Sequence, residues 1–197
     1  MTAPLEPAEV VRQVFDAAVA AHRRMDGARQ AAIVDAAAAI GRAVAAGGKL
    51  LVFGNGGSAA DAQHFATELV VRFERERAAI PALALTTDTS VLTAAANDVG
   101  FERVFARQIE ALGKPGDVAF GISTSGRSAN VLRGIEAARA AGLETIALTG
   151  GDGGALGAAA RLHLNVPERS TARVQEVHMT VIHAICALVE RDAAGSR

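Results

Sequence analysis

Five short apolar runs, each followed by a turn and a helix-like stretch, limit most strongly how this chain can fold. They are rich in Val, Leu and Ile, as strands buried on both faces are, and they cover 49–53, 81–86, 117–122, 144–148 and 161–166. Helices are predicted near 58–75, 89–112, 127–141, 153–160 and 171–192. Strands that alternate with helices form right-handed βαβ units. The sequence therefore predicts an α/β fold with a five-stranded parallel sheet.

Two alanine-rich amphipathic helices, predicted over 7–25 and 27–46, precede the first strand. We expect them to pack beside the sheet, and their alanines make them candidates for a subunit interface. No linker interrupts the chain. We therefore expect one domain over 1–197, with a helical pair in 1–46 and a sheet core with a C-terminal helix in 47–197.

Charge and cysteine content exclude several function classes. Twenty basic and 21 acidic side chains give a net charge of −1, so nothing favours nucleic acid or an anionic membrane as a partner. The single cysteine, Cys186, excludes an internal disulfide and a cysteine-rich zinc site, and its apolar surroundings predict a core position. No signal-peptide pattern or membrane-length apolar run is apparent. We expect a cytoplasmic protein.

The first strand ends in Gly54-Asn-Gly-Gly-Ser58. Glycines permit a sharp turn and a close approach to a ligand. Ser58 occupies the expected helix N-cap, with free N–H groups behind it that could bind an anion. A tight turn with a capping serine explains this loop equally well.

The third strand ends in a second polar loop, Ser123-Thr-Ser-Gly-Arg-Ser128, with four hydroxyls in six residues. Hydroxyls and backbone amides can surround a phosphate without a fixed positive charge. Loops at the carboxyl ends of parallel strands can meet at one crevice, where ligands of open α/β sheets bind. The two loops together predict a phosphate site.

A dinucleotide site is the rival explanation, because Gly54, Gly56 and Ala59 fit the G-x-G-x-x-A pattern. That pattern requires an acidic residue about 20 positions later, at the end of the second strand. The acid nearest that strand end is Asp88, 34 residues after Gly54. The spacing therefore disfavours NAD.

Titratable side chains mark two helices. His64 and Glu68 are four residues apart on one helix face, with Asp61 one turn earlier. They could bind a metal or transfer protons, although a solvated surface pair is the simpler explanation. The last helix carries Gln175, Glu176, His178 and His183. His183 lies in an apolar stretch, which is also typical of a core histidine.

Gln175 and His183 are eight residues apart on the last helix. That separation corresponds to roughly 12 Å along the axis and about 80° in direction. The two side chains share a small site only if both stretch toward each other or if subunits exchange them. In either case we expect a shared site to need oligomer contacts.

Five segments carry a family resemblance: GNGGSAADAQHFATEL, ALTTDTSVLTAAANDVGFERVFARQIEALGKPGDV, GISTSGRSANVLRGIEAARAAG, LTGGDGG and ARVQEVHMTVIHAICALVE. The first four resemble the sugar isomerase (SIS) domain family. With the fifth, they resemble the phosphoheptose isomerases within it, over about residues 30–191. The resemblance implies a flavodoxin-like three-layer sandwich, assembled as a homotetramer with active sites at subunit interfaces.

The resemblance also implies an activity. Such enzymes convert D-sedoheptulose 7-phosphate to D-glycero-D-manno-heptose 7-phosphate, an aldose–ketose isomerisation that begins ADP- or GDP-heptose synthesis for bacterial lipopolysaccharide or capsule. Glu68 and His183 match the acid/base pair. Asp61 is a further candidate, for orienting His64 or assisting ring opening. One Zn²⁺ per subunit is implied, with His64, Glu68, Gln175 and His183 as its ligands.

Substrate contacts are implied for twelve positions. They are Asn55, Gly56, Gly57, Ser58, Glu68, Asn97, Asp98, Ser123, Thr124, Ser125, Ser128 and Gln175. Arg127 departs mildly from the family pattern, which often has Asn or Lys there.

Two non-enzymatic relatives are the alternatives. DnaA-initiator-associating proteins share the loops and the tetramer but lack the glutamate and the last histidine, both of which this chain has. Sugar-phosphate-binding regulators usually carry a DNA-binding domain, for which we expect no room in 197 residues.

Overall fold

The computed structural model of this chain describes residues 5–194. Its sheet is parallel throughout, with strand order β2-β1-β3-β4-β5. The strands are β1 (Leu50–Gly54), β2 (Ala82–Ala84), β3 (Val118–Ser123), β4 (Glu144–Gly150) and β5 (Leu162–Val166). This order is that of flavodoxin-like folds, with the topological switch point between β1 and β3. The predicted α/β class and the five-stranded parallel sheet are confirmed.

Helices cover both faces of the sheet. Within the described range they are α1 (Pro7–Arg23), α2 (Gly27–Ala45), α3 (Gly57–Val70), α4 (Thr89–Asp98), α5 (Val104–Leu112), α6 (Ala129–Ala140), α7 (Gly154–Ala159) and α8 (Thr171–Ala194). Leu50 and Val52 point into a core shared with α2, α3 and α8. Leu51 and Phe53 point into a second core with α4 to α7. The alternation of side chains along β1 therefore produces the predicted three-layer sandwich.

Burial on both faces holds for the central strands but is wrong for the two edge strands. Residues of β1 and β3 are fully buried, whereas β2 and β5 are partly exposed. The predicted strand over 81–86 shortens to three residues, with Leu83 40% exposed. An edge strand pairs with one neighbour only and has less sheet to cover it.

The predicted single helix over 89–112 is also wrong. Helix α4 ends at Asp98, a short 3-10 helix covers Phe101–Arg103, and α5 begins at Val104. Gly100 separates them with φ of +92°, a conformation that a right-handed helix cannot contain. The break places Asn97 and Asp98 at a helix end.

Helix α8 lies mostly in the first core and carries the cysteine. Cys186 is fully buried, as predicted, and burial raises the pKa of its thiol to about 12. Between residues 5 and 194, no helix combines the length and apolar character needed to cross a bilayer.

Candidate active site

Two histidines and a glutamate from α3 and α8 meet in one cluster. The Nε2 atom of His64 lies 3.1 Å from Oε1 of Glu68 and 3.0 Å from Nε2 of His183. One nitrogen or oxygen atom from each of the three residues lies within 4.8 Å of the others. His64 is exposed, and the other two are half-buried. His183 is therefore not an enclosed core histidine, and His64 and Glu68 are more than a solvated surface pair.

Gln175 contacts the same helix pair at its other end. A Cβ atom added at Gly57 would lie 2.2 Å from Nε2 of Gln175, so the amide packs directly on the first turn of α3. Gly57 and His64 are seven residues apart on α3, and Gln175 and His183 are eight apart on α8. The two helices therefore run side by side in the same direction.

This packing brings three of the four predicted metal ligands together, whereas the expectation that a site shared by Gln175 and His183 needs oligomer contacts stays a prediction. His64, Glu68 and His183 meet within one chain, because both helices present matching turns to each other. Gln175 packs on Gly57 at the start of α3, about two helical turns before His64.

Asp61 is a buried carboxyl group one turn before His64. The side chain is 8% exposed, and its Oδ2 atom has no hydrogen-bond partner among the described residues. Burial raises the pKa of Asp61 to about 6, with the charge of His64 acting in the opposite direction. No hydrogen bond joins Asp61 to His64 in the described part of the chain, and the roles of Asp61 in orienting His64 and in ring opening stay predictions.

The loop after β1 turns earlier than the sequence predicts. Helix α3 begins at Gly57, and Gly56 is its N-cap with φ of +54°. Ser58 therefore lies in the first helical turn, where it is buried, and the prediction that it caps the helix is wrong. The positive φ of Gly56, which glycine adopts without strain, lets the chain enter the helix two residues sooner.

Asn55 uses its side chain to hold this loop in place. Its amide Nδ2 donates to Oδ1 of Asn130 at 2.7 Å, and Nδ2 of Asn130 donates back to Oδ1 of Asn55 at 2.8 Å. Asn130 is buried at the start of α6, and sequence reasoning missed it. The pair connects the loop after β1 to the start of α6, and a phosphate site shared by the two polar loops stays a prediction.

The serines of the second loop form a hydroxyl cluster at the end of β3. Oγ of Ser123 lies 3.0 Å from Oγ of Ser128 and 3.4 Å from Oγ of Ser125. The backbone N–H of Arg127 donates to Oγ of Ser125 at 3.2 Å, and the Arg127 guanidinium pairs with Asp152 at 2.6 Å. Three hydroxyl groups therefore converge beside a backbone turn.

A cleft of about 560 Å³ opens beside this cluster. Its lining comes from the loops that follow β3, β4 and β5: Thr124, Ser125, Arg127, Gly150, Gly151, Asp152, Pro167, Glu168, Arg169 and Thr171. Residues 54–58 do not line this cleft. Of the two polar loops that were predicted to share one crevice, only the second therefore borders it. Arg127 and Arg169 line the cleft together with Asp152 and Glu168, so its charged side chains balance.

Asn97 and Asp98 are exposed where α4 ends. Nδ2 of Asn97 donates to Oδ1 of Asp98 at 2.7 Å. Across residues 5–194, no hydrogen bond joins either residue to the serine loop or to the histidine cluster.

Comparison with known proteins gives consistent matches. A sequence model of the SIS domain matches residues 13–150. The phosphoheptose isomerase of Roseiflexus sp. strain RS-1 is 62% identical over 145 residues, 74% of each chain. The phosphoheptose isomerase structure from Neisseria gonorrhoeae superposes with a TM-score of 0.90 at 44% identity, covering 94% of this chain and 100% of that one.

A second solved structure agrees. The phosphoheptose isomerase from Francisella tularensis matches with a TM-score of 0.91 at 38% identity, over 95% of this chain and all of that one. With this fold, the His64–Glu68–His183 cluster and these relatives, the chain belongs to the phosphoheptose isomerases of the SIS domain family.

Proposed function

We propose that this protein isomerises D-sedoheptulose 7-phosphate to D-glycero-D-manno-heptose 7-phosphate. The observation that carries the proposal is the cluster of one carboxylate and two imidazoles, with atoms of Glu68, His64 and His183 within 4.8 Å of one another. Aldose–ketose isomerisation needs a base at carbon and a second group that moves a proton between oxygens. Glu68 and His183 supply one group of each kind.

The reaction moves one proton between carbons and one between oxygens. Glu68 removes a proton from C1 of the open-chain ketose, which leaves a cis-enediol, and returns a proton to C2. His183 delivers a proton to the oxygen on C2 and accepts one from the oxygen on C1, so the charges balance. Asp61, whose pKa is raised to about 6 by burial, is suited to accept or give the proton of ring opening.

The donor set of the cluster fits zinc, which accepts imidazole nitrogen and carboxylate oxygen. We propose that His64, Glu68 and His183 would hold one Zn²⁺ per chain. Gln175, the fourth predicted ligand, packs on Gly57 about two helical turns away, so it would join them only through the subunit contacts expected for a site that it shares with His183. When bound, the ion supplies Lewis-acid polarisation of the substrate carbonyl. Zinc binding would make Glu68 a weaker base, so its two tasks compete.

The remaining predicted residues bind the substrate away from the reacting carbons. Hydroxyls of Ser123, Thr124, Ser125 and Ser128, with the backbone of 55–58, hold the phosphate in this proposal. Arg127 and Arg169 line the neighbouring cleft, where Asp152 and Glu168 balance their charge. Asn97 and Asp98 bind sugar hydroxyls. Because the phosphate binds away from the reacting carbons, its binding energy can position C1 and C2 at the catalytic groups.

An exposed apolar stripe on α1 supports the homotetramer that we propose. Val11, Phe15 and Val19 repeat every four residues and are 57%, 68% and 49% exposed. Large side chains in such a row mark a protein–protein contact. Light scattering of the purified protein should give four chains per particle, and a monomer would contradict this part of the proposal.

NMR of sedoheptulose 7-phosphate incubated with the protein tests the function. New aldose signals should appear with the untreated protein, and they should not form when the protein has been chelated before the substrate is added. The product would feed nucleotide-heptose synthesis for lipopolysaccharide or capsule. Tight binding of the DnaA initiator without isomerisation would favour the regulator alternative, against which the presence of Glu68 and His183 argues.

A further inference from the structure

The segment 71–80, which follows α3, folds back onto α8 around one buried carboxylate. Glu190 is 2% exposed, and its Oε1 accepts the backbone N–H of Phe73 at 3.1 Å. Its Oε2 accepts the N–H groups of Glu74 and Arg75, each at 2.9 Å. Three consecutive backbone donors are thus bound to a single side chain.

Arg77 extends this arrangement to the end of α3. Its guanidinium, also 2% exposed, donates through Nε to Oε1 of Glu190 at 3.1 Å. Nη2 donates to the carbonyl of Glu68 at 2.7 Å, and Nη1 donates to the carbonyl of Leu69 at 2.8 Å. Carbonyls in the last turn of a helix lack helical partners, and a cation there also favours the helix dipole. Arg77 therefore binds the backbone of the proposed base.

The same segment contacts His183. The ring centroids of Phe73 and His183 lie 5.4 Å apart, with an interplanar angle of 32°. Glu190 follows His183 by seven residues, about two helical turns, so both side chains leave α8 on nearly the same side. Phe73 is thus held at its backbone by Glu190 and presents its ring to His183.

We infer that Arg77 and Glu190 are positioning residues that fix Glu68 relative to His183. The inference deepens the proposed function and rests on it for its catalytic meaning. Arg77 holds the Glu68 backbone on α3, while Glu190 holds the segment whose Phe73 supports the His183 ring on α8. The buried Arg77–Glu190 ion pair therefore resists a shift of α3 against α8.

A second carboxylate offers a matched control. Asp117, 3% exposed, accepts the backbone N–H groups of Lys49 and Lys114, each at 2.9 Å, and pairs with Nζ of Lys49 at 2.5 Å. It precedes β3, at the amino end of the strands, whereas the polar loops of the proposed site follow the carboxyl ends. Asp117→Asn should therefore weaken the fold without disturbing the cluster.

Arg77→Lys and Phe73→Leu test the inference. Lysine keeps the charge opposite Glu190 but lacks the planar fork that also reaches two carbonyls, and leucine removes the ring while leaving the ion pair intact. Both should lower kcat for sedoheptulose 7-phosphate by about tenfold to a hundredfold, as small displacements of reacting groups do, with little change in KM. ¹⁵N NMR of the metal-free protein should show shifted ring signals for His64 and His183 in Arg77→Lys, and for His183 in Phe73→Leu.

The outcomes separate the inference from the proposed function. If Arg77→Lys does not fold, Phe73→Leu decides alone. Unchanged kcat and unchanged histidine signals in the folded variants would overturn the inference, as would an equal loss of kcat in Asp117→Asn. If the wild type does not isomerise the substrate, the proposed function is refuted. Shifted histidine signals in the variants would then still support the positioning role.

Discussion

Nε2 of His64 lies 3.0 Å from Nε2 of His183, although 119 residues separate them along the chain. Two imidazole nitrogens this close either share one proton in a hydrogen bond or face a common cation. The Glu68 carboxylate, 3.1 Å from the same His64 atom, adds negative charge that favours a cation. The pairing exists because α3 and α8 pack side by side, and the first predictions concern this group.

Glu68→Gln should lower kcat by about a hundredfold or more, because the amide keeps the shape of the side chain but cannot take the proton from carbon. Steady-state kinetics with sedoheptulose 7-phosphate checks this. Glu136→Gln, the same change at an exposed position of α6, serves as the control and should keep wild-type turnover. Near-normal kcat in Glu68→Gln would refute its role as the base.

Protein purified without chelator should contain about one zinc per chain, since the cluster offers ligands that zinc prefers. His64→Ala should lose that metal. His22→Ala, which removes a histidine that instead contacts Thr180 on α8, should retain it. Elemental analysis gives the content, and activity should fall on chelation and return with added Zn²⁺. Full activity in metal-free protein would reject a catalytic zinc.

Ser123→Ala combined with Ser125→Ala should raise KM strongly. Each lost hydrogen bond to a charged phosphate costs about 1.5–3 kcal/mol, which corresponds to roughly tenfold or more per serine. Stabilisation of the protein by added heptose 7-phosphate should also largely disappear from thermal melts. Ser90→Ala on α4 is the matched control. If the double variant keeps wild-type KM and wild-type ligand stabilisation, these serines shape the loop and do not bind the phosphate.

His178 should make the folded state less stable as the pH falls. It is fully buried and donates from Nε2 to the Thr149 carbonyl at 3.1 Å, and burial lowers its pKa from 6.5 to about 4. Between these values the unfolded chain binds a proton that the folded chain does not. Stability from this group is present above pH 6.5 and is lost as the pH falls toward 4, by about 2 kcal/mol at pH 5.

Denaturant unfolding of wild type and His178→Gln at pH 7 and pH 5 isolates this contribution. The wild type should lose about 2 kcal/mol more than the variant over that interval. Equal losses in both proteins would show that His178 does not carry the predicted pH dependence.

Local patterns were sufficient to predict the sheet. Runs of Val, Leu and Ile that end in glycine-rich or serine-rich loops identify β1 and β3 directly. Strands buried on both faces are apolar along their whole length, so composition alone is enough to predict them. The break at Gly100 was not predictable, because a glycine is tolerated within a helical pattern and only its positive φ in the folded chain ends the helix. Ser58 was misplaced for the same reason, since Gly56 adopts positive φ two residues earlier.

The sequence predicted which residues belong to the candidate site but not which of them contact each other. His64 and Glu68 share a helix face that the sequence reveals, whereas their meeting with His183 depends on how α8 packs. Spacing on α8 alone predicted that Gln175 and His183 share a site only if both side chains stretch or if subunits exchange them, and in this chain Gln175 packs on Gly57 instead. Spacing could not show that α3 would lie alongside with matching turns. Asn130, Arg77 and Glu190 act through partners more than 70 residues away or through backbone groups, which no local pattern reports.

Isomerisation in D₂O tests the central claim most directly. If Glu68 carries a proton from C1 to C2 through an enediol, a carboxyl group that exchanges with solvent will introduce deuterium at C2 of the aldose. Proton and deuterium NMR of sedoheptulose 7-phosphate incubated with the wild-type protein should show D-glycero-D-manno-heptose 7-phosphate labelled at C2. Unchanged ketose, with neither aldose signals nor deuterium after incubation with zinc-loaded protein, would contradict the account.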